Sequence, residues 1–554
     1  MKKHILTFLI FICLVVVLVI SLPKENKIKK YETEKIELAI YINDEETNTI
    51  PSKDSGYYYD WEKSSCTNGA DINWDSISWS PVVRNMSEYK TRCELHFTTT
   101  YTEGILNGTD PVLEEPLIPV TIESDGTVKR ADLTVEWYSY ANKEWANAVI
   151  LIDESQNSNY LIGDVIPESA IESYFVWIPK YRYQLWDLGN YDSLTSVNAS
   201  KIHEIPIIFG DYNTSDTIEG ECTTPMESGA TGNCSVGDYM THPAFLSIPS
   251  TGFWVGKFDT GYAGATTPQE AEQNVTDANK ILIKPNIYIW NKVQQVNAFY
   301  TSYDYKRELD SHMMKNTEWG AVAYLQHSAY GSATSVRINN NYDLLSGYAG
   351  NDEPTCGYTM SNIECNISCN DGTCNTAYPN SVLASTTGNI TGIYDMAGGA
   401  WEYVMGVMVD QSGNPMSGEN NLYNSGFNGT FGCPSCDNGS PEILSLTTGR
   451  TFPDSKYYDK YLFDTAQDTN YHIRILGDAT GEMGSFGVAT YISLQRVINS
   501  WYADSASSIS NKYPWVSRGY SYNVGSDAGM FAFSIDYGHN NNMSGFRLIL
   551  TPTK

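Results

Sequence analysis

The sequence predicts an α+β protein in which β-strands predominate. Short apolar or alternating runs, which are typical of strands, occur at residues 148–153, 174–179 and 252–261. Further strand-like segments at residues 36–42 and 93–100 indicate that the β structure begins well before these runs. The sequence therefore favours a mixed fold with a large share of sheet.

Two segments break this pattern and place apolar side chains at helical spacing, residues 288–300 and 318–325. Asn316 or Thr317 is predicted as the N-cap of the second helix. Between the regular elements lie long segments rich in Asn, Ser and Gly, at residues 330–389 and 409–456. Loops of this length in a compact domain are usually functional or disordered.

Composition narrows the class of protein. The chain has 554 residues, a formal net charge of -30 and 41% hydrophobic residues. This length allows two to four domains, and the acidity disfavours binding to nucleic acid. The 40 Tyr and 43 Gly residues are typical both of adaptable contact surfaces and of loop-rich secreted β proteins.

Residues 1–23 are predicted to be a signal anchor. An apolar run of about the length that spans a bilayer follows Lys2 and Lys3, and no Ala-x-Ala-like cleavage site follows the run. The lysines at residues 24–30 oppose an outside location for the rest of the chain. The cysteine content favours it, so we expect a single-pass membrane protein with its bulk outside the cell.

The remaining chain divides at changes in composition. We predict, in order, a linker at residues 24–34, a small disulfide-stapled β-sandwich at 35–99, a second linker at 100–118 and a large domain at 119–554.

Ten of the eleven cysteines lie beyond the anchor in local groups, which favours disulfides in an oxidising compartment. A bridge between Cys66 and Cys93 would staple the small module. The disulfide candidates are Cys66, Cys93, Cys222, Cys234, Cys356, Cys365, Cys369, Cys374, Cys433 and Cys436. Zinc is the alternative for the group of four at residues 356–374, and redox chemistry is the alternative for Cys433 and Cys436.

Residues 392–403, Gly-Ile-Tyr-Asp-Met-Ala-Gly-Gly-Ala-Trp-Glu-Tyr, form the most informative motif. Gly398 and Gly399 suit positive φ angles or close backbone approach. The turn that they form would bring Asp395 and Glu402 together, as a hard cation requires. The alternative is a buried Trp and Tyr beside two solvated acids.

This motif resembles the Gly-Leu-Tyr-Asp-Met-x-Gly-Asn-Val-Trp-Glu-Trp signature of the formylglycine-generating enzyme (sulfatase-modifying factor) family. Residues 316–319 resemble the helix start of that family, and residues 518–522 with 545–547 resemble its Arg-Gly-Gly-Ser-Trp and Gly-Phe-Arg ending. The resemblance covers residues 119–554 and implies a C-type-lectin-like fold. The small module similarly resembles the modules, predicted as spacers, that precede lectin-like domains in surface proteins of Firmicutes.

The resemblance also implies a structural calcium ion. The side chains of Asp395 and Glu402 and the carbonyls of Gly398 and Ala400 would bind it. The sequence departs from the family at Gly399, where Asn is usual, which puts that side chain's contribution in doubt. A second acidic stretch contains Asp478 and Glu482, which we interpret as a solvated turn, with cation binding as the alternative.

Catalysis is not expected. Catalytic relatives that oxidise cysteine use a copper-binding cysteine pair in the final segment, and residues 437–554 contain no cysteine. The eight histidines are scattered without metal-ligand spacing, and no Gly-x-Ser-x-Gly elbow is present. These absences in the sequence favour a binding protein over an enzyme.

The C-terminal segment also resembles the variable region of lectin-like proteins that retroelements diversify, and this implies an exposed recognition face. The candidate ligand-binding residues are Trp515, Tyr520, Tyr522, Asn523, Asp527, Asp536, Tyr537, His539, Asn540, Asn541 and Asn542. Phe531 and Phe533 are expected on the opposite side of the strand, with Asp536 and the Asn run exposed.

The sequence thus predicts a membrane-anchored, extracellular, calcium-stabilised, lectin-like protein that binds a protein or glycan. An oxidase or other enzyme of the formylglycine-generating type is the first alternative. A structural component of the cell surface is the second.

Overall fold

The computed structural model describes residues 36–42, 45–51, 58–75, 80–84, 91–98, 110–186, 202–210, 221–222, 235–247, 251–350, 376–410, 412–415, 425–427, 430–431, 444–445, 450–462, 475–483, 500–507, 509, 513–541 and 543–552. The predicted anchor at residues 1–23 and the linker at 24–34 lie outside these ranges. Within them, no helix combines the length and the apolar character needed to cross a bilayer.

The chain divides into two compact units. Unit 1 comprises Met1–Thr102 with Leu133–Val135, and unit 2 comprises Glu103–Asp132 with Glu136–Lys554. The division at Thr102 falls within the linker predicted at residues 100–118.

The described residues of unit 1 form six short strands. They are β1 (Ile36–Ile42), β2 (Glu45–Thr47), β3 (Tyr58–Cys66), β4 (Asp71–Asp75), β5 (Ser80–Arg84) and β6 (Thr91–Thr98). Four of them form a mixed sheet in the order β2-β1-β6-β3, in which β1 and β6 are parallel, while β4 and β5 form a separate hairpin. Leu95 and Phe97 alternate with partly exposed residues on β6, as expected for a strand with one buried face.

The Cys66–Cys93 disulfide predicted for the small module is present and joins β3 to β6, where the two residues face each other in register. Cys222 lies in a strand of unit 2, but its side chain is outside the described atoms. The other predicted disulfide cysteines also lie outside the described residues.

Unit 2 contains twenty-two strands and two α-helices among its described residues. The strands are β7 (Ile118–Ile122), β8 (Val128–Arg130), β9 (Asn147–Leu151), β10 (Ile171–Pro179), β11 (Tyr181–Gln184), β12 (Ile207–Phe209), β13 (Glu221–Cys222), β14 (Tyr239–Thr241), β15 (Gly252–Gly256), β16 (Gly261–Tyr262), β17 (Ile281–Leu282), β18 (His312–Met313), β19 (Tyr348–Ala349), β20 (Thr376–Ala377), β21 (Trp401–Val409), β22 (Thr430–Phe431), β23 (Leu444–Ser445), β24 (Asp459–Leu462), β25 (Trp515–Arg518), β26 (Phe533–Asp536), β27 (Ser544–Phe546) and β28 (Leu548–Leu550). The helices are α1 (Gln295–Tyr303) and α2 (Asn316–Gln326).

Short 3-10 helices connect these elements. They span Tyr140–Asn142, Glu154–Asn159, Glu168–Ala170, Pro243–Phe245, Pro268–Ala271, Ala278–Lys280, Arg307–Leu309, Val382–Ala384, Ser455–Tyr457, Trp501–Ala503 and Gly525–Asp527. The described chain is thus mainly β with few helices, which confirms the coarse α+β prediction.

Two sheets dominate unit 2. The first has seven strands in the order β18-β28-β15-β10-β9-β7-β8. The second has the order β24-β21-β25-β26, with β27 also paired to β21. A third sheet has the order β12-β11-β14-β13, and the remaining strands form two-stranded pairs. One continuous hydrophobic core includes residues from both main sheets and both helices, for example Trp177, Phe299, Val322 and Val407.

Helix α2 is buried along its whole length, which suits the mainly apolar run from Trp319 to Leu325. Its Gly320 allows close contact with residues 475–483, because an added Cβ would lie 1.9 Å from the Gly477 carbonyl oxygen. The predicted N-cap at Asn316 or Thr317 is wrong, since α2 begins at Asn316 with Lys315 as N-cap. Asp459 instead caps the start, because it accepts a hydrogen bond from the Thr317 backbone at 2.7 Å.

The first turn of α2 also holds a buried ion-pair group. Glu318 lies 3.1 Å from His312 Nε2 and 3.3 Å from Lys315 Nζ, and its Oε2 accepts from the Lys315 backbone at 2.8 Å. Burial alone would raise the pKa of Glu318. The nearby Lys315 and His312, with the hydrogen bonds to the carboxylate, instead lower that pKa to about 2.

Candidate ligand-binding face

The fold brings the three sequence motifs together where β21 begins and its partner β25 ends. Gly398 donates a backbone hydrogen bond to Gly519 at 3.1 Å, and Glu402 is the register partner of Arg518. Arg518 in turn donates to Asn316 Oδ1 at 3.3 Å, at the start of α2. The motifs that are distant in sequence therefore form one structural site.

The turn predicted at Gly398 and Gly399 is confirmed, with φ angles of +79° and +71°. A Cβ at Gly398 would lie 2.3 Å from the Asn339 carbonyl oxygen, so the position requires glycine for space as well as for conformation. The Gly399 amide donates to that same oxygen at 2.7 Å. The turn is thereby fixed to the segment that begins at residue 339.

A buried charge cluster lies beneath this turn, with Arg547 at its centre. Arg547 binds Glu402 in bidentate fashion, at 2.8 Å through Nε and 2.6 Å through Nη2, and also contacts Asp259 at 3.1 Å. The side chains of all three are completely buried. Paired charges with satisfied hydrogen bonds are the form in which ions are tolerated in a protein interior.

Burial raises the pKa of Asp259 well above its usual value, and repulsion from Glu402 adds to this while Arg547 opposes it. The pKa of Arg547 is raised, because attraction to Glu402 and Asp259 outweighs the cost of burial. The positive charge of Arg547 therefore stays in place and neutralises the Glu402 carboxylate.

Asp395 is the second buried acid of the motif, and it holds the segment at residues 339–347. Its oxygens accept from Asn339 Nδ2 at 2.9 Å, from the Gly347 amide at 2.9 Å and from the Asp259 amide at 3.3 Å. Burial raises the pKa of Asp395, whereas Arg547 and these donors lower it. Asp395 thus closes both ends of the 339–347 loop onto the core.

The two side chains predicted to bind calcium, Asp395 and Glu402, already have hydrogen-bond partners on their carboxylate oxygens. Both Glu402 oxygens already bind Arg547, and the Asp395 oxygens already accept from N–H donors. These carboxylates do not fit a calcium ion held by the same atoms. Across the described part of the chain, no group of three or more His, Cys, Asp or Glu residues is arranged to hold a metal. The calcium ion, with the Gly398 and Ala400 carbonyls as further ligands, stays a prediction from the sequence.

Two pairs of rings are attached to this turn, Tyr342 with Tyr522 and Trp401 with Tyr520, and we call these four residues the aromatic patch. Tyr342 is 82% exposed, and its ring contacts Tyr522 edge-to-face at 5.5 Å. The Trp401 and Tyr520 rings lie 4.8 Å apart. Because the Tyr522 amide donates to the Gly399 carbonyl at 2.9 Å, both ring pairs are fixed to the motif turn.

Rigidity of the patch comes from its backbone. Tyr520 has a φ of +61°, which is unusual for a residue other than glycine and directs its ring onto Trp401. Tyr342 stands in a loop held by internal amide hydrogen bonds, since Asn341 Oδ1 accepts from the Asp343 amide at 2.9 Å. Tyr522 packs on the small cluster of Ile289, Leu344 and Ala400.

Several predicted recognition residues are buried rather than exposed. Trp515 is 1%, Tyr520 8% and Asp536 5% exposed, so the expectation that Asp536 lies on the surface is wrong. Asp536 is retained inside because it accepts hydrogen bonds from several neighbours, including the Gly538 amide at 2.7 Å. Phe531 and Phe533 are buried, as expected.

The other predicted recognition residues are at least partly exposed. Asn523 and Asn540 are exposed, whereas Tyr522, Asp527, Tyr537, His539 and Asn541 are partly buried. Asn542 lies outside the described residues. The accessible part of the predicted face therefore consists of rings, amides, one imidazole and the carboxylate of Asp527.

The second acidic stretch, which contains Asp478 and Glu482, is buried, although the sequence predicts a solvated turn. Asp478 is fully buried and accepts from Tyr461 at 2.7 Å, and Glu482 is 1% exposed and accepts from the Gly477 amide at 2.7 Å. These acids lie against α2, where Gly320 leaves room for them. The sequence around them gave no sign that phenol and amide donors would surround them.

Tyr342 is the main site residue that sequence reasoning missed. The signal available was its position after Asn339, Asn340 and Asn341 and before Asp343, a composition typical of a tight turn that displays its tip. Comparison with known proteins adds nothing to these observations, since no family model and no curated protein matches the chain.

Proposed function

We propose that the chain is a membrane-anchored, extracellular binding protein with a C-type-lectin-like large domain, and that the aromatic patch is its ligand-binding face. The observation that carries this proposal is the exposed Tyr342 ring, 82% accessible yet held against Tyr522. Tyr and Trp are enriched at binding surfaces, because rigid rings give contact area at low entropy cost.

The setting of the patch supports a protein or glycan ligand. Asn523 is exposed beside Tyr522 in the sequence and supplies an amide that can both donate and accept. Stacking rings with nearby amides suit a sugar ring or a peptide backbone equally well. The Cys66–Cys93 disulfide supports an oxidising, extracellular location.

A capture experiment tests the proposal. The purified chain is applied to a glycan array and to a lysate of candidate host cells, together with Tyr342→Ala and Tyr522→Ala variants. Ile152→Ala is the matched control, because Ile152 is a 59% exposed apolar residue that is not part of the patch. We expect capture by the wild type and by the control, and loss of capture by both Tyr variants.

The alternatives predict different results. Capture that is unchanged in both Tyr variants would favour a structural surface component. Copper-dependent oxidation of a cysteine-containing peptide would favour an enzyme of the formylglycine-generating type and would contradict the non-catalytic proposal.

A further inference from the structure

A second feature of the C-terminal segment is an imidazole that is oriented by a buried carboxylate. The His539 side chain is 42% exposed, and its Nδ1 lies 3.2 Å from Oδ1 of Asp536, whose side chain is 6% exposed. The Tyr537 ring contacts His539 edge-on at 5.9 Å. One nitrogen of the imidazole is thus used internally, while part of the ring is accessible to solvent.

Asp536 is fixed by donors from several directions. The Tyr403 hydroxyl lies 2.7 Å from Oδ1 and 2.6 Å from the His539 carbonyl oxygen. The Gly538 amide donates to Oδ1 at 2.7 Å, and Asn541 Nδ2 donates to Oδ2 at 3.3 Å. A carboxylate with this many donors has little freedom to rotate, so it fixes the orientation of His539.

This orientation sets the chemistry of the other ring nitrogen. With Nδ1–H directed to Asp536, Nε2 is an acceptor when the ring is neutral and a charged donor when it is protonated. Among the described residues, no hydrogen bond to Nε2 is formed. Asn540, the next residue, is exposed and carries a second N–H donor.

Among the described residues, Asp536 is the charged group that contacts the His539 ring. The other neighbours are the Tyr537 ring and the Tyr403 phenol, and burial raises the pKa of Tyr403 well above its usual value. Helix α1, whose Gln295 amide donates to the Gly538 carbonyl at 3.0 Å, has no acidic residue in its first turn. The pKa of His539 is raised, chiefly by its hydrogen bond to Asp536 and against the effect of burial.

We propose that His539 Nε2 forms a subsite for the carboxylate group of an acidic sugar. The protonated imidazole, whose Nδ1 side is held by Asp536, can donate a charge-assisted hydrogen bond from Nε2 to a carboxylate oxygen. A phosphate group usually requires Arg, Lys or a helix N-terminus, and no cationic side chain among the described residues contacts His539. This inference rests on the proposed function, because it assigns a chemical group to the proposed glycan ligand.

The assignment has a definite pH dependence. Only the protonated imidazole donates from Nε2, so affinity for the carboxylate falls by up to about tenfold per pH unit above the pKa of His539. By the same linkage, a bound carboxylate raises the apparent pKa of His539.

The test uses the full chain labelled with 13C at histidine Cε1, with NMR titrations of His539 from pH 5 to pH 9. Glucuronate is the probe, glucose is the neutral control, and inorganic phosphate is the control for a general anion. We expect glucuronate, but neither control, to raise the pKa of His539. His539→Gln should abolish the pH dependence of glucuronate binding, and Asp536→Asn should shift its midpoint to lower pH.

A His539 titration that glucuronate leaves unchanged would overturn the inference, as would an equal shift with glucose or phosphate. The Tyr342→Ala variant separates this result from the proposed function. Capture of a glycan through Tyr342 without any glucuronate effect at His539 would refute the subsite alone. A glucuronate effect at His539 without capture through Tyr342 would refute the aromatic patch alone.

Discussion

The buried carboxylate of Asp395 gives the sharpest test of how the site is built. Asp395→Asn keeps one oxygen acceptor but replaces the other with an NH2 group that faces N–H donors. The variant would lose charge-assisted hydrogen bonds to the Gly347 amide and to Asn339, both 2.9 Å long in the native site. Because the position is 1% exposed, water cannot replace them.

The expected cost follows from these contacts. A hydrogen bond to a charged group contributes about 1.5–3 kcal/mol, and a buried donor left without a partner costs about 1–3 kcal/mol. We therefore expect the free energy of unfolding of unit 2 to fall by roughly 3 kcal/mol. The segment at residues 339–347, which carries Tyr342, should lose most of its protection because Asp395 holds both of its ends.

Calorimetry of the unfolding transition and hydrogen–deuterium exchange of peptides from residues 339–347 measure these two effects. Asp343→Asn is the matched control, because Asp343 is an exposed acid in the same loop. It should change stability by less than about 0.5 kcal/mol. An Asp395→Asn variant with native melting temperature and native exchange in this loop would show that Asp395 does not hold the 339–347 segment.

Three further predictions concern the rest of the chain. In the folded state the pKa of Glu318 is about 2, below its usual value of 4.5. The ionised side chain should therefore contribute roughly 3 kcal/mol to the free energy of unfolding above pH 4.5, and this contribution should be lost toward pH 2. Melting temperatures of the wild type and Glu318→Gln that change in parallel over this pH range would contradict the prediction. Cys93→Ser should destabilise unit 1 by roughly 3–4 kcal/mol in thermal unfolding, because it removes the loop-closure entropy of a bridge with a sequence separation of 27. Alkylation of both Cys66 and Cys93 without prior reduction would contradict the presence of the bridge. From the donors on Asp395 and Glu402 we expect equal melting temperatures in calcium and in EDTA; a calcium-dependent rise that Asp395→Ala abolishes would instead support the predicted ion.

Much of the regular structure was predictable from local pattern. The runs at residues 148–153 and 174–179 became β9 and β10, and the alternating run at 252–261 contains β15. These segments form strands because their apolar residues fill both faces of a central sheet. The start of α2 was misplaced because its cap comes from Asp459, a residue that is distant in sequence.

The site was less predictable, because burial depends on partners that are far apart in the chain. Asp395, Glu402, Asp478 and Asp536 read as solvated or ion-binding acids, yet each is buried with donors from other elements. The glycine turn was predictable, since φ preferences are local. The aromatic patch was predictable only in its C-terminal half, because Tyr342 reaches it through a loop held by Asp395.

Ligand binding at the aromatic patch can be measured as an affinity. The dissociation constant of a captured glycan or protein is measured by calorimetry for the wild type, for a Tyr342→Ala/Tyr522→Ala double variant and for Ile152→Ala. Loss of two rings, each contributing about 1–2 kcal/mol, should weaken binding by roughly thirtyfold to a thousandfold in a double variant that remains folded. A double variant that binds as tightly as the wild type would contradict the account.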